Sequence, residues 1–87
     1  MERSDKILGS FEWRSIQANA KTPMICVYSS PADYPGKYVA RLWDLQHPTN
    51  LIAVSDTLEG IRRAIPEGMV VCPRFPNDDS CIVETWI

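Results

Sequence analysis

The amino-acid sequence predicts an α+β domain in which a five-stranded mixed sheet carries one short helix on one face. Two observations predict this class. In residues 51–68, an apolar run typical of a buried strand leads directly into a capped helix and then into a second apolar run. Such a connection is a crossover rather than a hairpin. The other apolar runs are short, and proline, glycine and aspartate separate them, as expected for strands joined by turns.

The five predicted strands fall into two groups. Residues 24–28, 37–43 and 51–54 are connected by the turn-rich segments SSPADYPG and DLQHPT, which predicts a three-stranded antiparallel meander. Residues 69–72 and 81–87 follow the helix and are separated by PRFPNDDS, which predicts a C-terminal hairpin.

The helix is predicted to run from about residue 57 to residue 65. Asp56 is suited to accept hydrogen bonds from the first turn, and Glu59 completes a capping box. Pro66 and Gly68 end the helix. Gly60 lies inside it at a cost of about 1 kcal/mol relative to alanine, which indicates close packing against the sheet.

Residues 1–22 are predicted to be an N-terminal extension, and residues 23–87 a single domain. Ile7, Leu8 and Phe11 recur at helical spacing, but Gly9 interrupts the pattern. The Thr22-Pro23 step marks a boundary, because a residue before proline is disfavoured in a helix. We therefore expect the extension to be helical or partly disordered.

Composition narrows the classes of function. The 87 residues carry a formal net charge of -2, and the basic residues form no cluster longer than Arg62-Arg63. A nucleic-acid surface normally needs a concentrated positive patch, so nucleic acid is not expected as a partner. Apolar runs are far shorter than the roughly 20 residues needed to span a bilayer, and the N-terminus lacks the apolar core of a signal peptide. The sequence therefore predicts a cytoplasmic protein that does not contact membranes.

The chain offers little for catalysis. Cys26, Cys72 and Cys81 are odd in number and form no C-x-x-C pair, which favours free thiols over a disulfide or zinc site. His47 is the only histidine, and the pair Asp78-Asp79 has the composition of a turn. We expect no enzyme, cofactor or metal. A small hydrolase or metal enzyme is the alternative, and it requires these side chains to converge in the fold.

A second sheet face is predicted to bind a protein. One helix of about three turns covers only part of one face of five strands. Strand alternation places six residues together on the face opposite the small apolar ones. These are Val39, Arg41, Trp43, Ile82, Glu84 and Trp86. Tryptophan and arginine are enriched at the centres of interfaces, so we expect a protein partner or self-association, a homodimer being the simplest version. The alternative is that the N-terminal extension covers this face.

Three segments of the sequence resemble known proteins. YPGKYVARLWD, DTLEGIRRAIPEGM and PNDDSCIVETWI resemble a group of small bacterial proteins over residues 24–87, and that group implies no particular activity. A meander followed by a helix capped at D-T-L-E is more distantly similar to the N-terminal domain of HicB-type antitoxins. This similarity implies a fold like that of double-stranded-RNA-binding domains, and toxin neutralisation or nucleic-acid association as alternative functions. The chain departs from that pattern because no proline-glycine follows Asp44-Leu45 and the helix is short.

Overall fold

The computed structural model describes residues 5–73 and 80–87. Its elements, in chain order, are β1 (Lys6–Leu8), α1 (Trp13–Asn19), β2 (Pro23–Ser29), β3 (Tyr38–Asp44), β4 (His47–Ser55), α2 (Leu58–Ala64), β5 (Val71–Pro73) and β6 (Ile82–Trp86). The strands form one sheet in the order β1-β4-β3-β2-β6-β5. β1 is parallel to β4, and every other neighbouring pair is antiparallel. The α+β class with a mixed sheet is therefore confirmed.

The number and bounds of the elements differ from the prediction. The described residues contain six strands and two helices rather than five strands and one helix, because the N-terminal region supplies β1 and α1. β4 begins at His47, so the predicted DLQHPT turn is reduced to Leu45 and Gln46. The polar start of β4 gave no strand signal in the sequence. It is held in place partly because the Thr49 hydroxyl donates to the carbonyl oxygen of Leu42 at 2.7 Å.

The N-terminal region shares the main core. Lys6 and Leu8 pair with Leu51 and Ala53 of β4, which places β1 at an edge of the sheet. Phe11, Ile16 and Ala20 are buried in the same apolar cluster as the strands: Ile25, Val27, Ala40, Leu42, Leu51 and Ala53. The sequence assigned residues 1–22 to a separate extension, whereas the described part of that segment contributes a strand, a helix and buried side chains. A three-residue strand and a seven-residue helix without a side-chain cap leave too little pattern to recognise.

Both helices lie on the same face of the sheet. Ile16 of α1 and Ile61 and Ala64 of α2 belong to the one cluster that packs on the strands. The segment that precedes α1 also contacts α2 directly, because the backbone N–H of Phe11 donates to the carbonyl oxygen of Ala64 at 2.8 Å. The opposite face carries no helix among the described residues.

The cap of α2 is Thr57 rather than Asp56. The Thr57 hydroxyl accepts a hydrogen bond from the backbone N–H of Gly60 at 3.0 Å. Asp56 instead forms an ion pair with Lys37, the residue before β3. Threonine and aspartate are both good capping residues, and adjacent candidates cannot be separated by propensity alone.

Candidate functional site

The sheet face opposite α1 and α2 is the candidate site, and we call it the open face. Directly paired residues of neighbouring strands project on the same side of a sheet. Arg41 pairs with Cys26 and with Ile52, and Val39 pairs with Tyr28. The central residues of the open face are therefore Cys26, Tyr28, Val39, Arg41, Trp43 and Ile52.

A small apolar layer lies on the open face. Cys26, Val39 and Ile52 are buried, yet they do not belong to the core cluster beneath the helices. On the same face, Trp43 donates a hydrogen bond from Nε1 to the hydroxyl oxygen of Tyr28 at 3.1 Å, which joins two aromatic side chains. The open face thus combines a packed base with an ordered aromatic surface.

Arg41 is immobilised beside the aromatic pair. Its Nη1 and Nη2 atoms donate to the two carboxylate oxygens of Asp5 at 2.9 and 3.2 Å, and Nη1 also donates to the carbonyl oxygen of Thr49 at 2.8 Å. Both side chains of the ion pair are mostly buried. A bidentate guanidinium–carboxylate pair fixes orientation as well as charge. The positive charge of Arg41 is therefore compensated within the chain.

A pocket opens at one end of this face. It has a volume of about 190 Å³, and its lining residues are Tyr28, Pro31, Asp33, Tyr34, Val39 and Arg41. The loop between β2 and β3 supplies Pro31, Asp33 and Tyr34. In the described part of the chain, the Asp33 carboxylate has no hydrogen bond or ion pair, so it is available to a ligand.

The six residues predicted to share one face are divided between two. Val39, Arg41 and Trp43 lie on the open face, although Val39 is buried rather than exposed. Glu84 pairs with Val27 and Trp86 pairs with Ile25, so both project toward the helices. Ile82 pairs with Tyr28, beyond a register shift in the β2–β6 ladder, and so lies on the open face with Val39, Arg41 and Trp43.

Glu84 lies on the face covered by the helices because its carboxylate finds hydrogen-bond donors there. The sequence suggested that a strand residue with a carboxylate faces away from the core, whereas Glu84 is only 4% exposed. Arg62 donates to it from Nε at 3.1 Å and from Nη2 at 2.7 Å, and Trp86 donates from Nε1 at 2.7 Å. Three donors satisfy the buried carboxylate, so the cost of burial is offset.

The hydrogen bonds that Arg62 donates hold the pKa of the Glu84 carboxyl below the ordinary value of 4.5. Burial acts in the opposite direction, and the hydrogen bond from Trp86 adds to the lowering. The same contacts raise the pKa of the Arg62 guanidinium. Both groups are therefore held in their charged forms, which suits a structural pair rather than a proton donor or acceptor in catalysis.

The remaining chemical candidates that the structure describes do not form a metal-binding group. His47 is exposed at the start of β4, and the three cysteines are free thiols. Within residues 5–73 and 80–87, no group of three His, Cys, Asp or Glu side chains is placed to hold a metal ion. Asp78 and Asp79, interpreted as turn residues, lie outside the described residues.

Sequence reasoning missed several residues of the open face. Alternation along β2 places Met24, Cys26 and Tyr28 on one side, so Tyr28 carried a usable signal. Asp5 and the pocket residues Asp33 and Tyr34 carried none, because their positions depend on loop geometry and on the unrecognised β1.

Within residues 5–73 and 80–87, no helix is both long enough and apolar enough to cross a bilayer. No protein-family model, no curated protein and no solved structure matches the chain significantly.

Proposed function

We propose that this protein is a non-catalytic interaction module that binds a second, different protein through the open face. The observation that carries the proposal is the aromatic pair of Tyr28 and Trp43, which is fixed by a hydrogen bond on a sheet face that no described helix covers. Preordered aromatic side chains lose little conformational entropy on binding and are enriched at the centres of interfaces.

Further features of the open face support a protein ligand. Ile7 of β1 pairs with Ile52 and is exposed, so the open face also carries an exposed apolar side chain at the edge of the sheet. Arg41 is already ordered by Asp5, and a partner would not have to immobilise it. A rigid apolar and aromatic centre with satisfied charges at its side is the composition typical of a protein-binding surface.

A different protein fits this surface better than a second copy of the chain. A twofold dimer presents the same surface on both sides, so the face must be complementary to itself. The pocket offers the carboxylate of Asp33 to a cation. Lys37, the residue before β3, and Arg41 already pair with Asp56 and Asp5. A second copy that offered either of these two cations to the pocket would therefore have to break an existing ion pair.

Toxin neutralisation, which the similarity to HicB-type domains implies, would be one case of the same proposal. It requires the same surface and a protein partner. Nothing in the described surface favours nucleic acid over protein, because the open face lacks an uncompensated basic cluster.

Photo-crosslinking in the native cell tests the proposal. The photoreactive residue p-benzoylphenylalanine replaces Ile7 on the open face in one variant and Trp13 on the helix side in the matched control, and both native side chains are large, apolar and exposed. We expect a discrete adduct with another protein from position 7 and none from position 13. The adduct should weaken when Trp43→Ala is added.

Three outcomes contradict the proposal. Equal adducts from both positions, or none from position 7, would remove support for the open face as the binding surface. An adduct with the mass of two copies, together with concentration-dependent sedimentation of the purified chain, would replace the partner with self-association.

A further inference from the structure

We propose that the pocket on the open face receives a lysine side chain of the protein partner. This inference rests on the proposed function and specifies the chemistry of the contact. The pocket is formed by Tyr28, Pro31, Asp33, Tyr34, Val39 and Arg41. Its size, its walls and its charge each support the assignment.

The pocket volume suits one side chain. Pockets for drug-sized molecules are typically about 300–1,000 Å³. A volume of about 190 Å³ lies below that range. It is nevertheless close to the roughly 150 Å³ of an apolar cavity that accommodates a single benzene ring. The occupant is therefore a single extended side chain rather than a cofactor or a nucleotide.

The walls suit a long alkyl stem that ends in a cation. Val39 and Pro31 provide apolar surface, and lysine packs its methylene groups along such surface while its ammonium group stays polar. Tyr28 and Tyr34 supply aromatic rings in the same pocket. The face of an aromatic ring attracts an ammonium group electrostatically.

The charge of the pocket favours a cation over an anion. Arg41 is the only basic residue among those that line it, and its guanidinium is held by both carboxylate oxygens of Asp5. The Asp33 carboxylate has no such partner in the described ranges. Among the described residues, the lining side chains together with Asp5 therefore carry a formal charge of -1. An anionic ligand would meet Asp33 and would have to displace Asp5 from Arg41.

Titration with a small probe tests the pocket without the partner. The probe is Nα-acetyl-lysine N-methylamide, and the neutral comparison is Nα-acetyl-norleucine N-methylamide, which keeps the alkyl stem and lacks the ammonium group. Binding is followed by amide chemical shifts in the full chain. We expect saturable shifts at Tyr28, Tyr34 and Val39, and an affinity for the lysine probe about five-fold higher than for the norleucine probe.

Variants locate the interaction. Asp33→Asn should weaken lysine binding about five-fold and remove its advantage over norleucine. Glu59→Gln is the matched control, because it also removes one negative charge but lies on α2, across the sheet from the pocket. It should leave the affinity unchanged, and both variants should show native-like spectra.

Two results of the titration would overturn the inference. Shifts of equal size with both probes, or no saturable shifts at tens of millimolar lysine probe, exclude a lysine pocket. A crosslinked partner with no probe binding would leave the open face as an interface and reject the pocket assignment. Probe binding without any crosslinked partner would leave the pocket as a site for a lysine side chain and reject the open face as a protein interface.

Discussion

Arg62 of α2 and Glu84 of β6 form an ion pair with two hydrogen bonds, of 3.1 and 2.7 Å, that ties the helix to the sheet. The pair is asymmetric. Glu84 is 4% exposed, whereas the Arg62 side chain is 50% exposed and stays partly hydrated. The carboxylate therefore depends on its donors more than the guanidinium depends on its acceptor.

Replacing Glu84 with glutamine is expected to lower the free energy of unfolding by about 1–2 kcal/mol. The variant loses the carboxylate that accepts hydrogen bonds from Arg62 and Trp86, but water can hydrate the Arg62 guanidinium instead. Urea denaturation at neutral pH measures the change. Glu59→Gln is the control, because Glu59 pairs with Arg63 where both side chains are largely exposed, and little change is expected. Equal losses in the two variants would contradict a special role for Glu84.

The same carboxylate predicts a pH dependence. Its pKa in the folded chain is lowered by the Arg62 hydrogen bonds, so the unfolded chain takes up a proton first as the pH falls. The stabilising contribution is complete above the ordinary value of 4.5 and is lost as the pH falls from there through the lowered pKa. The wild type should therefore lose more stability on acidification than Glu84→Gln does. Parallel stability curves from about pH 6 to about pH 3 would contradict this.

The N-terminal region is expected to be required for folding. Ile16 is completely buried, whereas Ile7 is 60% exposed, which gives a matched pair of the same residue type. Ile16→Ala should cost about 2–5 kcal/mol. Ile7→Ala should cost less than about 1 kcal/mol. A chain that begins at Pro23 should fail to fold. If it unfolded at the same urea concentration as the full chain, residues 5–22 would not contribute to the core.

The sequence predicted the class of the fold because residues 51–68 combine a strand run, a cap and stop signals that agree. It did not predict β1, because three residues cannot display a period. It also placed Glu84 on the wrong face. Alternation separates the residues of a strand into two sets but does not say which set faces the core, and here a buried ion pair reverses the expectation from charge.

Gly60 is expected to resist replacement by alanine. A Cβ at this position would overlap Ser55 Oγ and would lie 3.1 Å from Thr57 Oγ1, the capping atom. Alanine favours a helix by about 1 kcal/mol over glycine. Overpacking commonly costs about 1–3 kcal/mol, so Gly60→Ala should be net destabilising. In the double variant with Ser55→Ala, part of the loss should be recovered. Additive effects in this double-mutant cycle would contradict a steric origin.

Local sequence patterns assigned some residues to the open face correctly but did not identify their partners. Trp43 and Arg41 were assigned to one face correctly because they alternate along a single strand. Their partners Tyr28 and Asp5 come from other segments, and only strand register brings them together. The pocket adds Asp33 and Tyr34 from a loop, where turn residues are expected whether or not they form a site.

Leu45 is the position where a single substitution is expected to increase stability. It lies in the two-residue turn between β3 and β4 with φ of 56°, a left-handed conformation that costs a side-chain-bearing residue about 1–2 kcal/mol. Leu45 is exposed, so removing its side chain sacrifices little burial. Glycine adopts this conformation without that cost but adds freedom to the unfolded chain. Leu45→Gly should therefore raise the free energy of unfolding by up to about 1 kcal/mol.

Gln46→Gly is the matched control for this turn, because Gln46 is the neighbouring residue and does not have a positive φ. It adds the same freedom to the unfolded chain and relieves no strain, so a loss of about 0.5–1 kcal/mol is expected. Urea denaturation of both variants separates the two effects. The turn is also anchored by the Leu45 backbone N–H, which donates to the carbonyl oxygen of Thr22 at 2.9 Å and is retained in both variants. If Leu45→Gly were the less stable of the two, the strain at Leu45 would not limit the stability of the hairpin.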